Sequence, residues 1–156
     1  MAKLKIGDIV EIRTAKGFAY AHYTHKHKQY GALLRVFDSI YDARPSNYTD
    51  LVRQRPAFSC FFPLSAAVNK KIVSIIGNSA VPHEAQVFPT FRGGVVNPST
   101  HKVEVWWLWD GEREWRIGNL TDEQRLLPIA ELWSWDLLIE RLGSGWLPEE
   151  HDLYDA

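Results

Sequence analysis

The chain has 156 residues but only one cysteine and one methionine. The lone thiol, Cys60, excludes an intrachain disulfide framework and a multi-cysteine metal site. It sits in the apolar run SCFFPL, where a buried, inert thiol is expected. No apolar run approaches the roughly 20 residues that span a bilayer. The opening MAKLKIGDIVEI lacks the apolar stretch of a signal peptide. A soluble cytoplasmic protein with no membrane partner is therefore expected. Absent too are G-x-S-x-G, a phosphate-cradling G-x-x-x-x-G-K-[ST] and G-x-G-x-x-G. Nothing in the motif content points to catalysis, and no cofactor is implied.

Aromatic residues are plentiful, at 13% with seven Trp. Large amphipathic rings suit cores and binding surfaces alike. Net charge is −1, but unevenly spread. Residues 1–101 hold 13 Lys and Arg against 6 Asp and Glu, and residues 102–156 hold 5 against 13. Such asymmetry fits a charged contact surface, or two halves that neutralise each other.

Three of the six histidines fall in HYTHKH, residues 22–27. In an extended strand His25 and His27 share one face and His22 takes the other. Zinc needs three or four ligands, and His83, His101 and His151 are scattered. No metal site is expected, and the segment reads as the polar, solvent-exposed end of a strand.

Turn signals divide the rest of the chain. Ile6, Ile9, Val10 and Ile12 alternate as a first strand, residues 18–28 as a second and ALLRVFDSIY as a third. Ser46 is placed to cap a helix over NYTDLVRQR, which ends before Pro56. AFSCFF reads as a strand, LSAAVNKK as a short turn or helix, and KIVSIIG as a further strand. Residues 78–101, with three prolines and Gly93-Gly94, read as a long irregular surface stretch. Asp110-Gly111 between VEVWWLW and EREWRIG predicts a two-residue type I′ hairpin. That register sets Trp109 against Glu112, Trp107 against Glu114 and Trp106 against Trp115. It puts Trp106, Leu108, Trp115 and Ile117 on a core face. Thr121 and Gln124 form a capping box. Ser134 caps SWDLLIERLG, with Gly143 as its stop. The expectation is one α+β domain over residues 1–156: a small curled antiparallel sheet, a partly open barrel-like meander, with two or three short helices at its side and C-terminal end. Residues 147–156 form an acidic tail.

In order, KIGDIVEI, FAYAHY, YGALLRVFD, KKIVSIIGN, VP…FPTFRGG and WWLWDGEREWRIGNLTDEQRLLPIAELWSWDLLIERL make up most of the chain. Taken together, from about Lys5 to about Trp146, they resemble the immunity protein 26 family of bacterial polymorphic-toxin systems. HYTHKHKQ and the acidic tail depart from that pattern. The resemblance implies a small α+β protein encoded beside a toxin, which binds the toxin and blocks it. It implies no catalytic residue. Trp109, Gly111, Trp115 and Gly118 match recurrent positions of the family and read as hairpin architecture.

Tight inhibition of a protein partner needs an aromatic anchor inside a charged rim. On that reading Trp107 and Trp109 are the anchors. Asp110, Glu112 and Glu114 on the hairpin, with Asp122 and Glu123 beyond it, supply the acid facing a basic cleft. The other class is a β-rich nucleic-acid-binding module that would use Phe18, Tyr20, Tyr23 and Tyr30 beside the basic first half. The slightly acidic pI of 6.6 and the absence of an RNP box count against it.

Overall fold

A computed structural model describes residues 3–150. The architecture is α+β, with eight strands and three α-helices among the described residues. The described residues pack into two compact units, 3–87 with 132–146, and 88–131 with 147–150. The strands form two open sheets, one in each unit, where a single curled meander was expected.

The first unit opens with β1 (Asp8–Thr14), β2 (Gly17–His27) and β3 (Gly31–Val36), joined by tight turns. Next come α1 (Tyr48–Arg53), β4 (Phe58–Phe62), α2 (Leu64–Asn69) and β5 (Val73–Asn78). The sheet order is β4-β3-β2-β1-β5 and every pairing is antiparallel. β3 stops at Val36, short of the ALLRVFDSIY expected. Helix α1 is capped by Asn47 rather than Ser46: the Asn47 Oδ1 accepts from the Asp50 backbone N–H at 3.1 Å.

Both faces of this sheet are covered. Val10, Ile12, Ala21, Leu34, Cys60 and Phe62 belong to one core cluster. Trp133 and the helix α3 (Trp135–Ser144) complete that cluster through Leu138 and Leu142. Ile9, Tyr20 and Phe37 lie in a second cluster with Leu51 and Val52 of α1. Consecutive residues feed different clusters because side chains alternate along a strand. Ser134 Oγ caps α3 as expected, accepting from Leu137 N. The helix runs past Gly143 and ends at Gly145, whose φ of 70° is left-handed. Cys60 is fully buried, and desolvation raises its thiol pKa far above the ordinary value, against a smaller opposing effect of Arg141.

The histidine segment is not an exposed strand end. A bulge between Tyr23 and His25 interrupts the pairing with β3. His22 is fully buried, and its Nε2 lies 3.0 Å from Gly7 O and 2.8 Å from Ser79 O. Two carbonyls only accept, so Nε2 carries the proton and bridges them. Nδ1 is then bare, buried and without a hydrogen-bond partner among the described residues. His25 reaches Gln86 O at 2.8 Å, and His27 Nδ1 accepts from Gln29 N at 3.1 Å. No cluster of three or more His, Cys, Asp or Glu able to hold a metal occurs among the described residues. No helix there is long and apolar enough to cross a membrane.

The second unit contains β6 (Phe91–Val96), β7 (Val103–Trp109) and β8 (Glu114–Gly118) in that order, all antiparallel. β6 and a 3-10 turn over His83–Ala85 replace parts of the irregular stretch expected for residues 78–101. The Thr121–Gln124 capping box forms, with Gln124 N donating to Thr121 Oγ1 at 3.2 Å, and it opens a 3-10 turn. A further 3-10 turn covers Pro148–Glu150. His151 and the rest of the tail lie outside the described residues.

Two groups of the first unit, His22 and Glu11, are held below their ordinary pKa. Burial outweighs the Ser79 and Gly7 carbonyls and holds the His22 pKa below its ordinary 6.5. The unfolded chain therefore binds a proton that the native state resists, so the His22 contribution is full above pH 6.5 and falls below it. On β1, Glu11 accepts from Arg44 Nε at 2.9 Å and from the Tyr20 hydroxyl at 2.8 Å. The Arg44 hydrogen bond is the largest cause holding the Glu11 pKa below 4.5. Its stabilisation is present above pH 4.5 and is lost as pH falls further. Urea denaturation across pH should show two successive losses of stability, and His22→Gln should remove the upper one. An unchanged slope between pH about 6.5 and about 5 in that variant would refute the assignment to His22.

Candidate functional site

The tryptophan-rich hairpin of β7 and β8 forms, but its loop has four residues instead of two. Trp109 pairs with Glu114, Leu108 with Trp115 and Trp107 with Arg116. Asp110 explains the longer loop: its Oδ1 accepts from Glu112 N at 3.0 Å and Arg113 N at 2.8 Å. A short carboxylate folding back onto the amides two and three residues on makes a local turn of its own. Those amides, Arg113 first, hold the Asp110 pKa below its ordinary value. Gly111 is required here, because its φ is +100° and a Cβ would sit 2.8 Å from the Phe88 ring.

The register differs by two residues from the one expected, and an even shift keeps each side chain on its face. Trp107, Trp109, Glu114 and Arg116 still share one side of the hairpin. Leu108 and Trp115 share the other, with Trp106 buried beyond Leu108. Expected core residues divide: Trp106 and Leu108 are buried, whereas Trp115 on the outer strand is 40% exposed.

The two expected anchors also divide. Trp109 is half-buried, its ring 5.4 Å from Phe91 and 5.7 Å from Phe88. It belongs to the packing of this unit. Trp107 is 38% exposed. Its neighbour across β6 is Gly93, which has no side chain to cover it. Trp107 forms one wall of a shallow groove of about 390 Å³, with Val95, Val105 and Pro98. Glu104 stands at the rim, held by Asn97 Nδ2 at 2.9 Å. Glu112 and Glu114 are exposed on the same hairpin. Asp122 and Glu123 are exposed in the segment leading into the 3-10 turn at Gln124–Leu126.

Val95 and Gly93 were not anticipated as parts of this surface. Their signal was the missing strand: with β6 read as loop, nothing showed that Val95 and Gly93 flank Trp107. Beneath the sheet, Arg92 is fully buried, with its guanidinium carbon 5.0 Å from the centre of the Trp106 ring. Its Nη2 donates to Pro148 O. Burial, reinforced by the charge of Arg125, lowers its pKa to about 10, so it stays charged at neutral pH.

The two glycines of β6 do different work. A Cβ at Gly94 would lie 2.3 Å from Val103 Cγ1 and 3.1 Å from Val105 O, while one at Gly93 would meet only Ala130 at 3.7 Å. Gly94→Ala should cost roughly 1–3 kcal/mol through forced displacement of β7. Gly93→Ala should stay within about 0.5 kcal/mol of the parent. Paired urea-denaturation curves check this, and equal losses would contradict the close approach at Gly94. No protein-family model, curated protein or solved structure matches the chain.

Proposed function

We propose that this chain is an immunity protein that binds a cognate bacterial toxin and neutralises it by occluding its active or substrate site. The observation that carries the reading is Trp107. A tryptophan 38% exposed beside an apolar groove, with the Glu104 carboxylate at the rim, has the composition of a binding hot spot. Hot spots place a large ring at the centre and polar groups at the rim, where they exclude water and set orientation. Glu104 stands at that rim and Glu112 and Glu114 are exposed on the same hairpin, and their charge suits a toxin with a basic substrate cleft. The order of motifs along the chain supports the same reading.

The nucleic-acid alternative relied on aromatic faces beside a basic surface. Tyr20 and Tyr23 are buried, at 0% and 5% exposure, and offer no face for a base to stack on. Trp107 and its acidic neighbours would repel a phosphate backbone rather than attract it.

Co-expression with the product of the neighbouring gene, followed by purification, tests the partnership directly. Within such a complex Trp107→Ala should weaken binding by about 30-fold, the effect of a hot-spot residue worth about 2 kcal/mol. Glu112→Lys, a change at the exposed rim, should weaken binding by less than Trp107→Ala. Trp109→Ala is a poor probe because that ring supports Phe88 and Phe91. Full affinity in both Trp107→Ala and Glu112→Lys would sink this choice of surface.

A further inference from the structure

We infer that the outer edge of β8 pairs with the same edge of a second copy of this chain, antiparallel about a two-fold axis at Trp115. The inference is independent of the toxin reading. It rests on the hydrogen-bond phase of the hairpin and the order of its side chains.

Asp110 N donates to Arg113 O at 3.1 Å. This one backbone bond, with Arg113 N turned to the Asp110 carboxylate instead, puts Asp110 and Arg113 at a hydrogen-bonded position, and such positions alternate along an antiparallel ladder. Trp109 and Glu114 are then a non-hydrogen-bonded pair, Leu108 and Trp115 a bonded one, and Trp107 and Arg116 again non-bonded. Glu114 and Arg116 therefore turn their backbone N–H and C=O groups away from β7. No described strand lies beyond β8, and Glu114, Trp115 and Arg116 are all exposed. The outer edges of β6 and β4 are engaged by other segments of the chain. Beside β6, Arg92 N donates to Pro128 O and Ala130 N to Arg92 O, each at 2.9 Å. Beside β4, Trp133 N donates to Phe61 O at 2.9 Å.

An added antiparallel strand must place its outward-facing residues opposite Glu114 and Arg116. A two-fold pairing of β8 with itself near its middle then has three registers. One sets Glu114 against Glu114, and another sets Arg116 against Arg116. Both juxtapose like charges, which is unfavourable for directly opposed residues. The third is centred on Trp115. It sets Glu114 against Arg116 of the second copy and Arg116 against Glu114 of the second copy. Both ion pairs form, with two backbone hydrogen bonds at each. Trp115 falls on the axis as a non-hydrogen-bonded pair, where Cα atoms approach to about 4.5 Å and side chains are closest. The ring that each copy leaves 40% exposed on its Leu108 side is then covered by its twin. The edge is self-complementary, as an isologous interface requires. Paired this way, the two three-stranded sheets become one of six strands.

Sedimentation equilibrium of the full chain, without toxin, tests the pairing. The expected species at raised concentration has twice the 18.0 kDa mass of one chain. Glu114→Arg alone opposes like charges at both pairs and should move the monomer–dimer midpoint to about tenfold higher concentration or more. The double exchange Glu114→Arg with Arg116→Glu recreates the match with the signs reversed, and should restore the dimer. Circular dichroism checks that each variant is folded. A monomer at all concentrations would overturn the inference, as would a dimer indifferent to Glu114→Arg or one not rescued by the double exchange. A monomer whose Trp115 becomes protected only when toxin is added would assign the edge to a strand of the toxin instead, and would also overturn it.

Discussion

The first unit depends on one constraint: the central residues of β1 and β2 are enclosed on both faces. Ile9 and Tyr20 lie in one cluster, and Val10, Ile12, Ala19 and Ala21 in the other, all at 0% exposure. Backbone groups so enclosed must find their hydrogen bonds within the sheet. β2 obtains them from β1 and β3, which are adjacent in sequence, but β1 needs a partner on its other side. It takes β5, which arrives after two helices and another strand. The ladder is irregular at Ile9–Val10 and at Tyr23–His25. Near these bulges His22 performs the work that a regular ladder would do, bridging the carbonyls of Gly7 and Ser79. A neutral imidazole suits that position, and a charged one does not.

The abundance of tryptophan has more than one cause. In the first unit, the Arg141 guanidinium carbon lies 4.4 Å from the Trp133 ring centre and 4.1 Å from that of Trp146. Phe58 stacks on Trp133 at 5.0 Å. The left-handed turn at Gly145 brings Trp146 back over the helix it follows, with Trp146 N donating to Arg141 O at 3.0 Å. A guanidinium packed into the corner of two indoles set edge to face keeps its charge while its flat surface packs like that of an apolar group. In the second unit Trp106 covers Arg92 and Trp109 packs on two phenylalanines. Trp107 and Trp115 are the tryptophans more than a third exposed among the described residues. Aromatic content alone did not single them out.

Much of this was legible from local chemistry. Strand alternation located β1, β2, β4, β5 and the hairpin, and Ser134 marked the start of α3, because each signal is decided within a few residues. What failed was decided by contacts more distant in sequence. Gly93-Gly94 between prolines reads as loop, yet Gly94 is needed inside β6 because Val103 occupies the space a Cβ would fill. Asp110-Gly111 marked the turn but not its length, since the Asp110 carboxylate captures two amides and draws four residues into the loop. Trp115 was assigned to the right face, but periodicity gives the face and not what covers it. The buried state of His22 had no signal of its own, for it depends on Ser79, 57 positions away. Charge was coarsely legible. The first unit holds 13 Lys and Arg against 8 Asp and Glu, and the described part of the second holds 5 against 9.

The candidate site is less acidic than its sequence suggests. The Asp110 carboxylate is engaged with the amides of Glu112 and Arg113, and Glu104 accepts from Asn97. Arg116 lies on the same face as Glu114, and Arg113 is in the loop beside Glu112. Glu112 and Glu114 are each next to an arginine in sequence. Exposed charges so close to opposite charges project little field beyond a Debye length of about 8 Å in physiological salt. Long-range steering by this face is therefore weak, and the binding energy of the proposed toxin contact must come from burial of Trp107 and the groove beside it. The alternation of Glu and Arg serves register instead. It determines which strand can lie along the β8 edge, and in which alignment, more than how fast a partner arrives.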